Sequence, residues 1–246
     1  MIVGAQRCGT TTLYQYLGEH PAVAKPVRKE LQYFSLHFTK GLGWYRSHFP
    51  RAGDGRHTFE ATPYYLFHPA AAARAASVLP EARIIVLVRD PVERAVSHYH
   101  HNVGLGVETL SFDAALAAEE ERLAGERERL VDDPRYPGTA HRRYGYFARG
   151  CYAPQLEGWY QHYSKDRVLV VLSEDFYRDT GVVFAQVLAF LGLSPLQLDS
   201  YHRYTRRPPG GDGAVSDASR ERLRRRYGAL NQELAELLGR DPGWHG

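Results

Sequence analysis

The sequence predicts an α/β fold, a P-loop-like parallel β-sheet flanked by helices on both faces. Short apolar runs alternate with stretches of helical period, the pattern of strands joined by crossover helices. The first apolar run passes at once into a glycine-spaced turn and then into a helix. A length of 246 residues is enough for one sizeable core, so a single domain over 1–246 is expected.

Ile2-Val3 reads as the first strand, short and begun abruptly at Met1. That start leaves no room for a signal peptide and looks like a missing piece of the strand. A helix follows over 10–17, then a short strand at Thr58-Phe59 and a helix over 68–79. The run 83–88 is a fully apolar buried strand, and Pro91 opens a helix over 91–101. One long helix is expected over 112–130. The stretch 130–143, with Asp132-Asp133-Pro134 and Tyr136-Pro137-Gly138, reads as a loop. A strand over 168–172 and a helix over 182–191 come next, then a second loop over 204–215 containing Pro208-Pro209-Gly210-Gly211. Leu223, Tyr227, Leu230 and Leu234 recur at helical spacing in a last helix over 216–238, ended by Gly239 and Pro242. Its run of arginines from Arg220 to Arg226 reads either as a polyanion patch or as the solvated face of an amphipathic helix.

Composition narrows the function classes. No stretch approaches the roughly 18–20 apolar residues of a membrane span. Two cysteines, Cys8 and Cys151, cannot form a disulfide framework, which points to a reducing compartment. The net charge of +3 is too small to call for a nucleic-acid partner and suits an anionic small ligand. Four of the 31 basic residues are lysines and the rest are arginines. That bias has a compositional reading, and arginine's planar fork also suits phosphate.

Gly4-Ala5-Gln6-Arg7-Cys8-Gly9-Thr10-Thr11-Thr12 carries the first chemistry. Two glycines five apart let the backbone wrap an anion, and the helix that follows aims amide N–H groups at it. Thr10, Thr11 and Thr12 add hydroxyls. Thr10 stands where a nucleoside-triphosphate enzyme has its lysine, which counts against a kinase or ATPase. Arg7 puts the positive charge inside the loop instead. A tight strand-to-helix turn without a ligand is the plainer reading of the glycines alone.

The strand over 83–88 ends in Arg89-Asp90-Pro91, and Ser97 lies eight residues beyond Arg89. In a doubly wound sheet, ligands sit beyond the C-terminal strand ends, so Arg89 would emerge beside the glycine loop. Arg89 and Ser97 could together grip a second phosphate. They also read as a helix-start Arg-Asp pair and a small packing serine.

The two elements together resemble sulfotransferases that use 3′-phosphoadenosine 5′-phosphosulfate (PAPS), nearest the heparan sulfate or glycosaminoglycan-type branch and its bacterial relatives. The likeness spans nearly the whole chain and includes Lys29 to Phe34, Gly41 to Tyr45, Phe59 to Tyr65, Gly150-Cys151-Tyr152, Trp159 and the last helix. It implies in-line sulfuryl transfer from PAPS to an acceptor hydroxyl or amine, with a carbohydrate-like acceptor favoured, 3′,5′-ADP as product and no metal. It makes Glu30 the general base, whereas the residues alone read as a charge paired with Lys29. Arg7 replaces the loop lysine common in the branch and would stabilise the leaving phosphate, with Cys8, Gly9, Thr10, Thr11 and Thr12 binding around it. Arg89 and Ser97 would take the 3′-phosphate. His101 falls where N-sulfotransferase relatives have a histidine, and Tyr152 reads equally as a nucleotide contact or as core. Among His98, His100 and His101, no pattern completes a zinc site.

Three departures from the family pattern concern the acceptor and the lid. Gln32 and Ala61 replace acceptor-side histidine and lysine, and Arg206-Arg207 are the substitutes for a Lys/Arg-Gly-Arg lid. Golgi relatives carry a membrane helix that this sequence does not show, so a soluble, cytoplasmic bacterial protein is expected. The competing readings are an atypical P-loop nucleotide or metabolite kinase and a non-catalytic nucleotide-binding protein on the same fold.

Overall fold

The computed structural model describes residues 1–50, 55–204 and 215–244. The chain opens with β1 (Ile2–Gly4) and α1 (Thr10–Leu17), then β2 (Val23–Ala24), α2 (Gly41–Arg46), β3 (His57–Thr58) and α3 (Ala71–Val78). The central strand β4 (Ile84–Val88) leads into α4 (Pro91–Gly104). Four short helices follow, α5 (Phe112–Ala117), α6 (Glu119–Leu123), α7 (Glu126–Asp132) and α8 (Thr139–Tyr144), and then α9 (Tyr152–Tyr160). The chain continues through β5 (Val168–Leu172), α10 (Ser173–Arg178) and α11 (Thr180–Leu191) to α12 (Asp217–Leu238).

The main sheet is parallel, in the order β1-β4-β5. All five residues of β4 are buried, and successive side chains of a strand point to opposite faces, so both faces of the sheet are covered. Each such Ile, Val or Leu contributes about 2 kcal/mol by leaving water. The register pairs Val88 with Leu172, and Gly4 with Val86. The C-terminal ends of all three strands therefore lie on one edge. They deliver Gln6 and Arg7, Arg89, and Ser173 and Glu174 to the same place.

Three expectations need correction. The strand expected at Thr58-Phe59 is shifted by one residue and pairs with β2 in a separate two-stranded sheet. Its continuation is bridged to the main sheet between Ile2 and Ala61, and the amide of Leu66 donates to the carbonyl of Val3 at 2.8 Å. The single helix over 112–130 is three helices, broken at Ala118 and at Ala124-Gly125, where Gly125 is left-handed at φ 69°. Buried carboxylates impose the breaks. Glu119 accepts the amides of Phe147 (2.7 Å) and Ala148 (2.8 Å), and Glu126 accepts that of His141 (3.1 Å). The loop expected over 130–143 correspondingly contains the end of α7 and most of α8.

Helix α4 starts as the sequence indicates. Asp90 caps the amides of Val92 (2.8 Å) and Glu93 (3.1 Å), with Pro91 in the first turn, where a missing N–H costs nothing. The arginine run of α12 is largely a clamp. Arg220 pairs with Glu93, Arg222 with Asp113 at 2.6 Å, and Arg226 lies 3.9 Å over the ring of Phe147. Among the described residues no helix is long and apolar enough to cross a membrane.

Candidate functional site

The loop between β1 and α1 is tied to the sheet by Ala5, whose amide donates to Leu87 at 2.6 Å. Gly4 permits a close approach, since a Cβ there would lie 2.4 Å from that of Leu66. It thus serves packing more than anion wrapping. Gly9 is the residue before α1, at φ 96°, and a Cβ on it would meet the Tyr177 hydroxyl at 2.8 Å. Among the described residues no side chain caps α1, and its first amides face the cleft in front of them with the positive end of the helix dipole. Arg7 is itself left-handed at φ 74°, a strained setting for a non-glycine residue that turns its side chain toward the sheet edge.

Arg7, Gly9, Thr10 and Thr11 line a cleft of about 990 Å³ together with Arg89 and Ser97. The Nε of Arg7 donates to Ser97 Oγ at 3.0 Å, joining the loop to α4 directly. Burial, and then the neighbouring Arg89, push the Arg7 pKa down from its usual value. Two cations lining one cleft favour anionic groups beside them. Behind the loop lies Arg149, buried and stacked 5.1 Å from the rings of Tyr64 and Phe67. It donates to the side-chain oxygen of Gln6.

Not every expected contact faces the cleft. The Cys8 side chain is fully buried, 3.9 Å from the Tyr152 hydroxyl, and burial pushes the thiol pKa up to about 11. Its carbonyl accepts from Ser173 Oγ at 2.7 Å, so Cys8 braces the loop from the protein side. Thr12 is also fully buried, within 3.3 Å of the Tyr177 hydroxyl, and it accepts the amide of Tyr204 at 3.4 Å. Tyr152 is 1% exposed and donates to the carbonyl of Arg89 at 2.8 Å. Of its two readings the buried one describes its position, and it fixes the backbone from which Arg89 projects. Arg206 and Arg207 lie outside the described residues.

Glu30 and His101 stand where the main cleft meets a second cavity of about 240 Å³, and both line each of them, as do Gln6 and Pro63. Glu30 is left-handed at φ 60°, held by its amide on the carbonyl of Ala61 at 3.0 Å. Its carboxylate is half exposed and accepts from Lys29 Nζ at 3.0 Å, so both readings of Glu30 remain compatible with its place. Burial first, and Arg7 second, lower the pKa of His101 below its ordinary value, against an opposing pull from Glu30. Its imidazole is therefore neutral near pH 7. Gln32, itself at φ 56°, lines the smaller cavity with Arg142, Arg143 and His98. His98 is buried and packs 4.9 Å from Tyr146, while His100 lines the main cleft. Among the described residues no group of three or more His, Cys, Asp or Glu could hold a metal ion.

Several cleft residues escape a reading of the sequence alone. Tyr177 and Arg203 form one wall, with the guanidinium 3.8 Å over the ring, and Trp244 contributes from the far end of the chain. Ser173 and Glu174 follow the apolar run of β5 as Arg89 follows β4. The rule that found Arg89 therefore finds them too.

A family model described as the sulfotransferase domain matches residues 1–207. Heparan sulfate glucosamine 3-O-sulfotransferase 3A1 of Mus musculus is 30% identical over 268 residues, covering 100% of this chain and 64% of its own. The bifunctional heparan sulfate N-deacetylase/N-sulfotransferase 1 of Caenorhabditis elegans is 28% identical over 211 residues, which is 83% of this chain and 23% of that protein. The chain thus spans less than two thirds of the length of these curated relatives. Among solved structures, a sulfotransferase from Alicyclobacillus acidocaldarius superposes with a TM-score of 0.79 at 31% identity, over 99% of this chain and 96% of that one.

Proposed function

From the premise that this chain belongs to the sulfotransferase domain family, we propose that it transfers a sulfuryl group from PAPS to an acceptor hydroxyl or amine. The observation that carries the proposal is the 3.0 Å hydrogen bond between Arg7 and Ser97. It joins a lysine-less phosphate loop to a second cationic site in one cleft. A nucleotide with phosphates at both its 5′ and 3′ positions has the two anionic ends that such a cleft accommodates.

In this reading the amides of the first turn of α1, the hydroxyls of Thr10 and Thr11, and Arg7 hold the 5′-phosphosulfate. Arg89 and Ser97 hold the 3′-phosphate. The acceptor approaches from the smaller cavity, across the seam where Glu30 and His101 lie. As the acceptor oxygen or nitrogen bonds to sulfur, its proton passes to the Glu30 carboxylate. The bridging S–O bond breaks, and its electron pair stays on the 5′-phosphate. Arg7 is charged throughout, so it stabilises that developing charge without donating a proton. Lys29 holds the Glu30 carboxylate in place in the resting enzyme, and neutral His101 orients the acceptor. Arg142 and Arg143 beside that cavity, with Gln32 and Tyr64, suit a hydroxyl-rich, carbohydrate-like acceptor.

Transfer of a labelled sulfuryl group from PAPS to a panel of carbohydrate, phenolic and small-metabolite acceptors tests the proposal. Glu30→Gln should lower transfer at least about 100-fold while leaving 3′,5′-ADP binding within about twofold. Full activity in that variant refutes Glu30 as the base. Mg²⁺-dependent binding of ATP in preference to 3′,5′-ADP would refute the donor and favour a kinase.

A further inference from the structure

The main cleft is less cationic than a donor with several negative charges would suggest. Among its described lining residues, the carboxylates Glu30, Asp90, Glu93 and Glu174 are as many as the lysine and arginine cations. Three of the four are engaged with partners other than Arg89. Glu30 accepts from Lys29, Asp90 caps α4, and Glu174 accepts the amide of Asp90 at 2.9 Å. Glu93 differs. It lies in the first turn of α4, and its Oε2 is 3.5 Å from Arg89, the cation read above as a phosphate ligand.

The other oxygen of Glu93, Oε1, accepts from Arg220 in the first turn of α12. This contact joins residues 127 apart in the chain. Arg220 is held there by its helix. Ser219 donates to Asp113 at 2.9 Å, Arg222 pairs with the same carboxylate, and Tyr227 donates to the carbonyl of Phe147 at 2.8 Å. One carboxylate is thus shared between two guanidiniums, and only one of them lines the cleft.

We infer that Arg220 is a positioning residue for recognition of the second phosphate. It holds and neutralises Glu93, so that Arg89 can exchange the carboxylate for the 3′-phosphate. Without Arg220, Glu93 would pair fully with Arg89 and face the incoming phosphate with an uncompensated negative charge. The effect is confined to ligands that carry the 3′-phosphate, because Arg89 is the cleft cation that Glu93 pairs with. The inference rests on the reading of Arg89 as a phosphate ligand.

Isothermal titration of 3′,5′-ADP and 5′-AMP into the wild type, Arg220→Gln, Glu93→Gln and the double variant separates the two claims. Arg220→Gln should lose about tenfold in affinity for 3′,5′-ADP and less than about twofold for 5′-AMP. Glu93→Gln should bind 3′,5′-ADP at least as tightly as the wild type. The double variant should return to within about twofold of Glu93→Gln, a rescue that loss of structure would not give. Unchanged 3′,5′-ADP binding in Arg220→Gln, equal losses for both nucleotides, or a double variant as weak as Arg220→Gln each overturns the role of Arg220. If Arg220→Gln does not fold, weaker 3′,5′-ADP binding by Glu93→Gln overturns it. A wild type that binds both nucleotides equally removes the reading of Arg89 instead, and the inference with it.

Discussion

Replacing Gly9 by alanine should damage both the fold and the phosphate loop, and the structure sets the size of the effect. At φ 96° the backbone lies in the region that L-residues avoid, which costs about 1–2 kcal/mol for any side chain. The new Cβ would also sit 2.8 Å from the Tyr177 hydroxyl, so that hydroxyl must move. It lies 3.3 Å from Thr12 Oγ1, and the loss of that hydrogen bond adds about 1 kcal/mol. The total of about 2–3 kcal/mol corresponds to a fall in Tm of about 5–10 °C for a chain of this size. Differential scanning fluorimetry reads it, and titration with 3′,5′-ADP should show a parallel loss of affinity. Tyr177→Phe in the Gly9→Ala background removes the clashing oxygen but not the backbone strain, so it should recover only part of the Tm. A Gly9→Ala variant with wild-type Tm and affinity would refute this account of the loop.

Two further predictions concern stability. Glu60 is 1% exposed and accepts from Tyr45 (2.7 Å), Thr62 (2.9 Å) and Tyr65 (2.5 Å), so Glu60→Ala strands three buried hydroxyls. It should cost about 3–5 kcal/mol in urea unfolding, and a loss below about 1 kcal/mol would contradict the packing described. Burial pushes the pKa values of His68 and His141 from 6.5 down to about 3. The unfolded chain binds these two protons below about pH 6.5 and the folded chain does not, so stability falls as pH drops from 6.5 toward 3. By pH 5 the two together should remove about 4 kcal/mol, with buried His98 acting in the same direction, and His141→Gln should take away about half of the pair's share. A stability unchanged between pH 7 and pH 5 would contradict it.

What the sequence reveals of this site is what depends on local chemistry. The glycine spacing, the threonines and the apolar run ending at Arg89 each carry their own signal, and the sheet register brings them together as the strand-end rule implies. Long-range polar contacts carry no such signal. Glu119 and Glu126 look like surface charges of one long helix, yet they turn inward to satisfy backbone amides and break it. Cys8 and Thr12 lie in the motif, but their side chains are buried, Cys8 against Tyr152 and Thr12 against Tyr177. Arg220 is one arginine in a basic run. Only the packing of α12 on α4 distinguishes it from its neighbours.

The central claim is that one nucleotide spans the Arg7 loop and the Arg89 site, and paired titration calorimetry of 3′,5′-ADP and 5′-AMP tests it most directly. The wild type should prefer 3′,5′-ADP by at least about 20-fold, the value of one charge-assisted phosphate contact, and Arg89→Ala should erase the preference. Equal affinities in the wild type, or an undiminished preference in Arg89→Ala, would contradict it.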